Sequence, residues 1–145
     1  MRIYLDNCCY NRPFDAQGQT RVQLETIAKL SVQLLMALGR VEYVWSSILE
    51  YEVSFNPSRE RAEAIMRWKA NACAVVMMSN ALEQRAAALQ AYGIKHKDAL
   101  HIASAEQAHC DWLLTTDDAL IRKAKCATTL RVGNPIEFVM ENSHD

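Results

Sequence analysis

Four acidic residues, Asp6, Glu52, Asp98 and Asp117, are spread over the whole chain, and each stands at the edge of an apolar segment. Carboxylates distant in sequence but each at the mouth of a core element imply one shared site. In an α/β protein that site forms at the carboxyl ends of parallel strands, where the loops of several βα units converge. Like charges gathered there require a cation.

The acids differ in how well local structure explains them. Asp6 ends a strand pattern, with no helix to cap until further along the chain. Asp98 falls in the first turn of a helix, where dipole and capping effects explain it when it is taken alone. Glu50 and Glu52 share a helix. With Ser47 as N-cap, Glu50 is the N3 partner of a capping box and points to the polar side. Glu52 lies near the middle of an arc of Ile48, Leu49, Tyr51, Val53 and Phe55, so it needs a compensating partner. In Thr115-Thr116-Asp117-Asp118, Asp118 is expected to cap the next helix and leave Asp117 free to face the site.

These positions depend on alternating elements. Strands are expected at Arg2–Leu5, Val41–Trp45, Cys73–Met78, Trp112–Thr115 and Thr128–Val132, the third as a buried run. A loop covers Asn11–Asp15. A long helix opens on a Thr20/Gln23 capping box, places Leu24, Ile27, Leu30, Leu34, Leu35 and Leu38 on its core face, and stops at Gly39. Helices also follow Ser46-Ser47 and Ser58, start at an Asn80/Glu83 capping box, begin at Lys97-Asp98 and run on from Asp118. A final helical turn begins at Asn134-Pro135. Strands separated by helices give a three-layer α/β/α fold with a mainly parallel sheet of about five strands.

With 145 residues, 50% of them apolar, the chain fits one domain over 1–145. Its net charge of -1 excludes a strongly basic coat, so nucleic-acid binding must come from local patches. No apolar run approaches a membrane span and no signal peptide is legible, which makes the expected location cytoplasmic. The five cysteines include no C-x-x-C pair and read as reduced thiols. The glycines, at 18, 39, 93 and 133, build neither a dinucleotide fingerprint nor a P-loop. No G-x-S-x-G elbow is present.

Ile3-Tyr4-Leu5-Asp6-Asn7, Ser46-Ser47-Ile48-Leu49-Glu50-Tyr51-Glu52, the stretch Asp98-Ala99-Leu100-His101-Ile102-Ala103-Ser104-Ala105 and Asp111-Trp112-Leu113-Leu114-Thr115-Thr116-Asp117 together resemble the PIN domain family. That family comprises metal-dependent nucleases, many of them bacterial toxin ribonucleases. The resemblance covers nearly the whole chain and implies catalytic, metal-binding acids at Asp6, Glu52, Asp98 and Asp117. It also implies support from Asn7, Ser46 and Thr115 or Thr116, and raises an antitoxin partner and a homodimer.

Hard carboxylate oxygens with few imidazoles suit Mg²⁺ or Mn²⁺, and such a centre fits phosphodiester hydrolysis. Arg12, Lys95, Lys97, Arg122, Lys123 and Lys125 flank the acids in sequence and are the expected grip on a single RNA strand. Tyr10 and Phe14 are candidates for base stacking or packing. His101, one turn from Asp98, reads as a core or supporting histidine rather than a ligand. The expected activity is therefore a metal-dependent endoribonuclease. The rival readings are a PIN-like binding module without hydrolysis and a structure-specific DNA nuclease.

Overall fold

A computed structural model of the protein describes residues 1–142. Five parallel strands, β1 (Arg2–Leu5), β2 (Glu42–Ser46), β3 (Ala74–Val76), β4 (Trp112–Leu114) and β5 (Arg131–Gly133), form one sheet in the order β3-β2-β1-β4-β5. β1 lies at the centre and pairs with both β2 and β4. Every pairing is parallel, so all strands deliver their carboxyl ends to one edge.

The helices are α1 (Asn7–Asn11), α2 (Thr20–Ala37), α3 (Ser47–Ser54), α4 (Arg59–Met66), α5 (Asn80–Gln90), α6 (His96–Gln107), α7 (Asp118–Ala127) and α8 (Pro135–Asn142). They cover both faces of the sheet and close two apolar cores. Tyr4, Val44 and Leu113 face one core with α5 and α6, while Ile3, Leu5, Trp45 and Leu114 face the other with α2 and α8. Alternation along β1 thus splits its side chains between the two layers.

Several elements differ from their expected form. β3 is a three-residue edge strand, not a buried run over Cys73–Met78, and of it only Val76 is buried. β5 begins at Arg131 rather than Thr128. Helix α8 runs for eight residues, well beyond one turn. None of the three expected capping boxes forms: α2 starts after Gln19 without a side-chain cap, and Ser79, not Asn80, caps α5 through the Leu82 N–H. Ser46 rather than Ser47 caps α3.

The largest departure is the face that α2 buries. Leu24, Ile27, Leu30, Leu34 and Leu38 point to solvent, and Glu25, Ala28, Lys29, Val32 and Met36 point inward. Glu25 is tolerated there because Arg12, Arg21 and Asn134 all donate to its carboxylate. Lys29 rests over the Tyr10 ring, 5.5 Å from its centroid.

Candidate metal centre

Asp6 follows β1 directly, and its position has a local cause that sequence reasoning missed. A helix starts at Asn7, so Asp6 is an N-cap whose Oδ1 accepts the Asn7 N–H at 2.7 Å. Its Oδ2 accepts the Thr115 hydroxyl at 2.9 Å. Thr115, at the end of β4, accepts in turn the Asp117 N–H at 3.2 Å. One buried threonine therefore links the ends of the two adjacent strands that carry Asp6 and Asp117.

Glu52 and Glu50 part company on α3. Glu50 pairs with Lys69 at 2.7 Å and accepts the Trp45 indole N–H. With Ser46 as the cap it is not the N3 residue of a box. The expected arc is also narrower: Ile48, Leu49 and Val53 are buried, whereas Tyr51 and Phe55 are exposed. Glu52 turns toward the carboxyl edge of the sheet, where its carboxylate meets the Nε2 of His101.

His101 organises this side. It is fully buried on α6, one turn after Asp98, with Nε2 also 3.6 Å from Asp6 Oδ1. Its Nδ1 lies 2.6 Å from the Tyr4 hydroxyl, which lies 2.5 Å from Ser46 Oγ. Ser46 Oγ accepts the Leu49 N–H, so the N-cap of α3 is the far end of the same chain. Burial alone would lower the His101 pKa, but Asp6 and Glu52 outweigh it and hold it above the ordinary histidine value.

Ligand atoms of Asp6, Glu52 and His101 lie within 4.8 Å of one another. Asp98 joins them electrostatically: burial, then the charge of Asp6, with Asp117 and Glu52 adding and His101 opposing, pushes its carboxyl up to about 6. Asp117 differs from expectation. It is itself the N-cap of α7, its Oδ1 taking the Ala119 and Leu120 N–H groups, while Asp118 makes a paired contact with Arg21. An N-cap side chain accepts from the second and third helical residues, here Ala119 and Leu120, so with α7 starting at Asp118 the cap falls on Asp117, one residue before the expected Asp118.

The other expected residues divide. Asn7 touches the centre through its backbone N–H, and its side chain binds Asn11. The Thr116 N–H points at Cys8 Sγ, which also lies 3.5 Å from Asp6 Oδ2. Arg12 is bound to Asp15 and to buried Glu25, which removes it from any role as a free cation. Lys95, Lys97, Arg122, Lys123 and Lys125 are exposed, with Lys123 reaching the Gly93 carbonyl at 3.1 Å. Tyr10 is buried in the core, and Phe14 lies beneath Arg61. Tyr4 and Cys8 gave no sequence signal, whereas the Asp98-x-x-His101 spacing on one helix face was visible.

An edge bearing buried and half-buried carboxylates, with one imidazole among them, has the donor chemistry for a hard divalent cation. The profile of the PIN domain family matches residues 3–125, and the chain belongs to that family. PIN domains are generally nucleases. A chain of the crystal structure of VapBC2 from Rickettsia felis, bound to a DNA fragment from their promoter, is similar in fold. It superposes with a TM-score of 0.57 at 18% identity, over 92% of this chain and 98% of that one. No curated protein sequence matches.

Proposed function

We propose that this chain is a divalent-metal-dependent endoribonuclease and the toxin of a toxin-antitoxin pair. The observation that carries the nuclease reading is the gathering of ligand atoms of Asp6, Glu52 and His101 within 4.8 Å at the carboxyl edge of the sheet, with Asp98 coupled to them and to Asp117 in charge. Asp6, Glu52 and Asp98 would hold the cation, with Asp117 completing a second position or acting through water. A bound Mg²⁺ or Mn²⁺ would supply an acidified water as nucleophile and charge stabilisation at the phosphate and the leaving 3′ oxygen.

The protein's own part is positional. Thr115 fixes one oxygen of Asp6, and His101 fixes Glu52. Lys95 and Lys97 precede Asp98, and Arg122 and Lys123 follow Asp117 along α7; these exposed cations would draw a phosphate backbone toward the acids. A protein partner belongs to the same reading. Its support is the outer face of α2, where the exposed residues from Val22 to Leu38 include no charged side chain. The VapBC2 assembly is consistent with an antitoxin as that partner.

Labelled single-stranded RNA, structured RNA and DNA, incubated with Mg²⁺ or Mn²⁺, provide the test. Wild type should cleave single-stranded RNA, and Asp6→Asn and Glu52→Gln should each lose roughly 100-fold or more in rate. A variant that cleaves as fast as wild type would overturn the reading.

A further inference from the structure

Tyr51 and Phe55 are the exposed aromatic pair of α3, with their rings T-shaped at 4.8 Å and relative exposures of 52% and 66%. Isolated exposed side chains need no explanation, but these have company. Met78, just beyond the carboxyl end of β3, is 42% exposed and lines a cleft of about 500 Å³ with Tyr51, Leu100 and Lys97. The Lys97 ammonium stands 5.7 Å from the centroid of the Tyr51 ring.

Its place in the fold gives the cleft meaning. Tyr51 precedes Glu52 on α3, and Lys97 precedes Asp98 on α6, so the two walls are the neighbours of two acids of the candidate centre. The cleft thus combines an apolar floor, an aromatic face and a cation at the rim of a site suited to phosphate. A protein partner would be served by the apolar floor alone. The cation beside the aromatic face favours a ligand that is both planar and anionic.

We propose that this cleft receives an unpaired nucleobase of a single-stranded nucleic acid, stacked on Tyr51, while Lys97 binds the adjoining phosphate. Phe55 buttresses Tyr51 from the next turn. A paired base keeps its faces within the duplex stack, so the cleft selects single strands over duplexes. This inference rests on reading the neighbouring acids as the phosphate-cleaving centre, but its test does not require cleavage.

Binding of short single-stranded RNA is measured by fluorescence anisotropy on the Asp6→Asn variant without divalent cations. 2-Aminopurine is placed at each position in turn. Quenching at one position on binding is expected, and lost on adding Tyr51→Ala, with affinity falling about tenfold. Tyr51→Phe should keep both. Lys97→Ala should weaken binding and lower the salt slope by about one. Affinity for a duplex should not change with Tyr51→Ala. Unquenched 2-aminopurine at every position would overturn the proposal, as would unchanged single-strand affinity in Tyr51→Ala. So would loss of self-association in Tyr51→Ala with RNA binding intact, which would make the cleft a protein interface. Stacking without any cleavage by the wild type would sink the nuclease reading and leave the base cleft standing.

Discussion

The Thr115 hydroxyl donates to Asp6 across the β1–β4 junction at 2.9 Å while accepting the Asp117 N–H. Its single proton is thereby committed to the carboxylate, and Asp6 Oδ2 is held in one direction. Thr115→Val keeps the shape and removes that donor. Calorimetric titration should then show Mg²⁺ or Mn²⁺ affinity reduced by about 10–100-fold, as for other groups that orient a metal ligand, with Thr115→Ser near wild type. Equal affinity in the valine variant would mean that the hydroxyl does not organise the centre.

The Ser46–Tyr4–His101 chain makes a prediction about protons. The Glu52 carboxylate can only accept at Nε2, so in the neutral imidazole Nδ1 takes the Tyr4 proton and the Tyr4 oxygen takes that of Ser46, whose Oγ also accepts the Leu49 N–H. Burial raises the Tyr4 pKa well above its ordinary value, so the phenol keeps that proton. The neutral imidazole is thus the Nε2–H form, donating to Glu52. Long-range ¹H–¹⁵N spectra above the His101 pKa should show the proton on Nε2. Tyr4→Phe should mix the tautomers and cost about 1–3 kcal/mol in urea unfolding, because it strands two buried polar groups. A spectrum with Nδ1 protonated would refute the donor sequence.

Asp98 predicts the pH response of the metal-free protein. Its carboxyl is raised from 3.8 to about 6 by burial and by Asp6, so between those values the folded state keeps a proton that the unfolded state has lost. Stability from this group is greatest below the lower value, falls as the pH rises toward about 6, and stays reduced above it. Asp98→Asn should flatten that slope and raise Tm at pH 7 by roughly 2–4 °C. Cation at about 100 times its Kd should stabilise the wild type by ~2.7 kcal/mol, and the variant by far less. Identical pH profiles for the two proteins would count against the clustering of the acids.

The strand–helix alternation and the parallel sheet were legible because apolar runs and stop signals mark them locally. Asp6, Asp98 and Asp117 stood out because each sits at a strand end or helix start, and Glu52 because of its place on the arc of α3. What escaped depended on partners remote in sequence. The arc of α3 already separated Glu52 from Glu50, but the partners that claim them, His101 and Lys69, lie far away in sequence and left no local signal. Helix α2 was read with its leucines inward because periodicity reports an apolar face and not what that face meets. Its true core face carries Glu25 and Lys29, acceptable only because Arg12, Arg21, Asn134 and Tyr10 come from elsewhere or from the opposite turn.

Lys29 should be a stability liability. Burial lowers its pKa from 10.5 to about 7, with Cys9 opposing weakly, and it forms no ion pair among the described residues. The folded pKa is the lower, so the unfolded state binds the extra proton between these values. Stability therefore rises as the pH is raised from about 7 toward 10.5. Lys29→Met should abolish that rise and add ~2 kcal/mol at pH 7, less the lost contact with the Tyr10 ring. Urea denaturation at pH 7 and pH 9.5 measures both, and a destabilised methionine variant at pH 7 would show that the ammonium is better solvated than its burial implies.

The outer face of α2 should be covered by protein. Leu24, Ile27, Leu34 and Leu38 recur at spacings of three, seven and four, close to the 3.5-residue seam of a helix that packs on another helix. Ser31 lies within that seam and bonds its own Ile27 carbonyl at 3.0 Å, so it presents no unsatisfied hydroxyl. The four exposed leucines, Leu24, Leu30, Leu34 and Leu38, are each about half accessible or slightly more, and with Ile27 they form a patch that water covers poorly. Without another partner, the protein should self-associate through this face in a concentration-dependent manner. Sedimentation velocity over a range of concentrations should show a dimer for the wild type, and a monomer for the Ile27→Glu/Leu34→Glu double variant. Because both side chains are exposed, the fold and the acid centre should survive in that variant, and its Mg²⁺ affinity should match the wild type. A wild type that stays monomeric at high concentration would mean that the face is not a self-association surface.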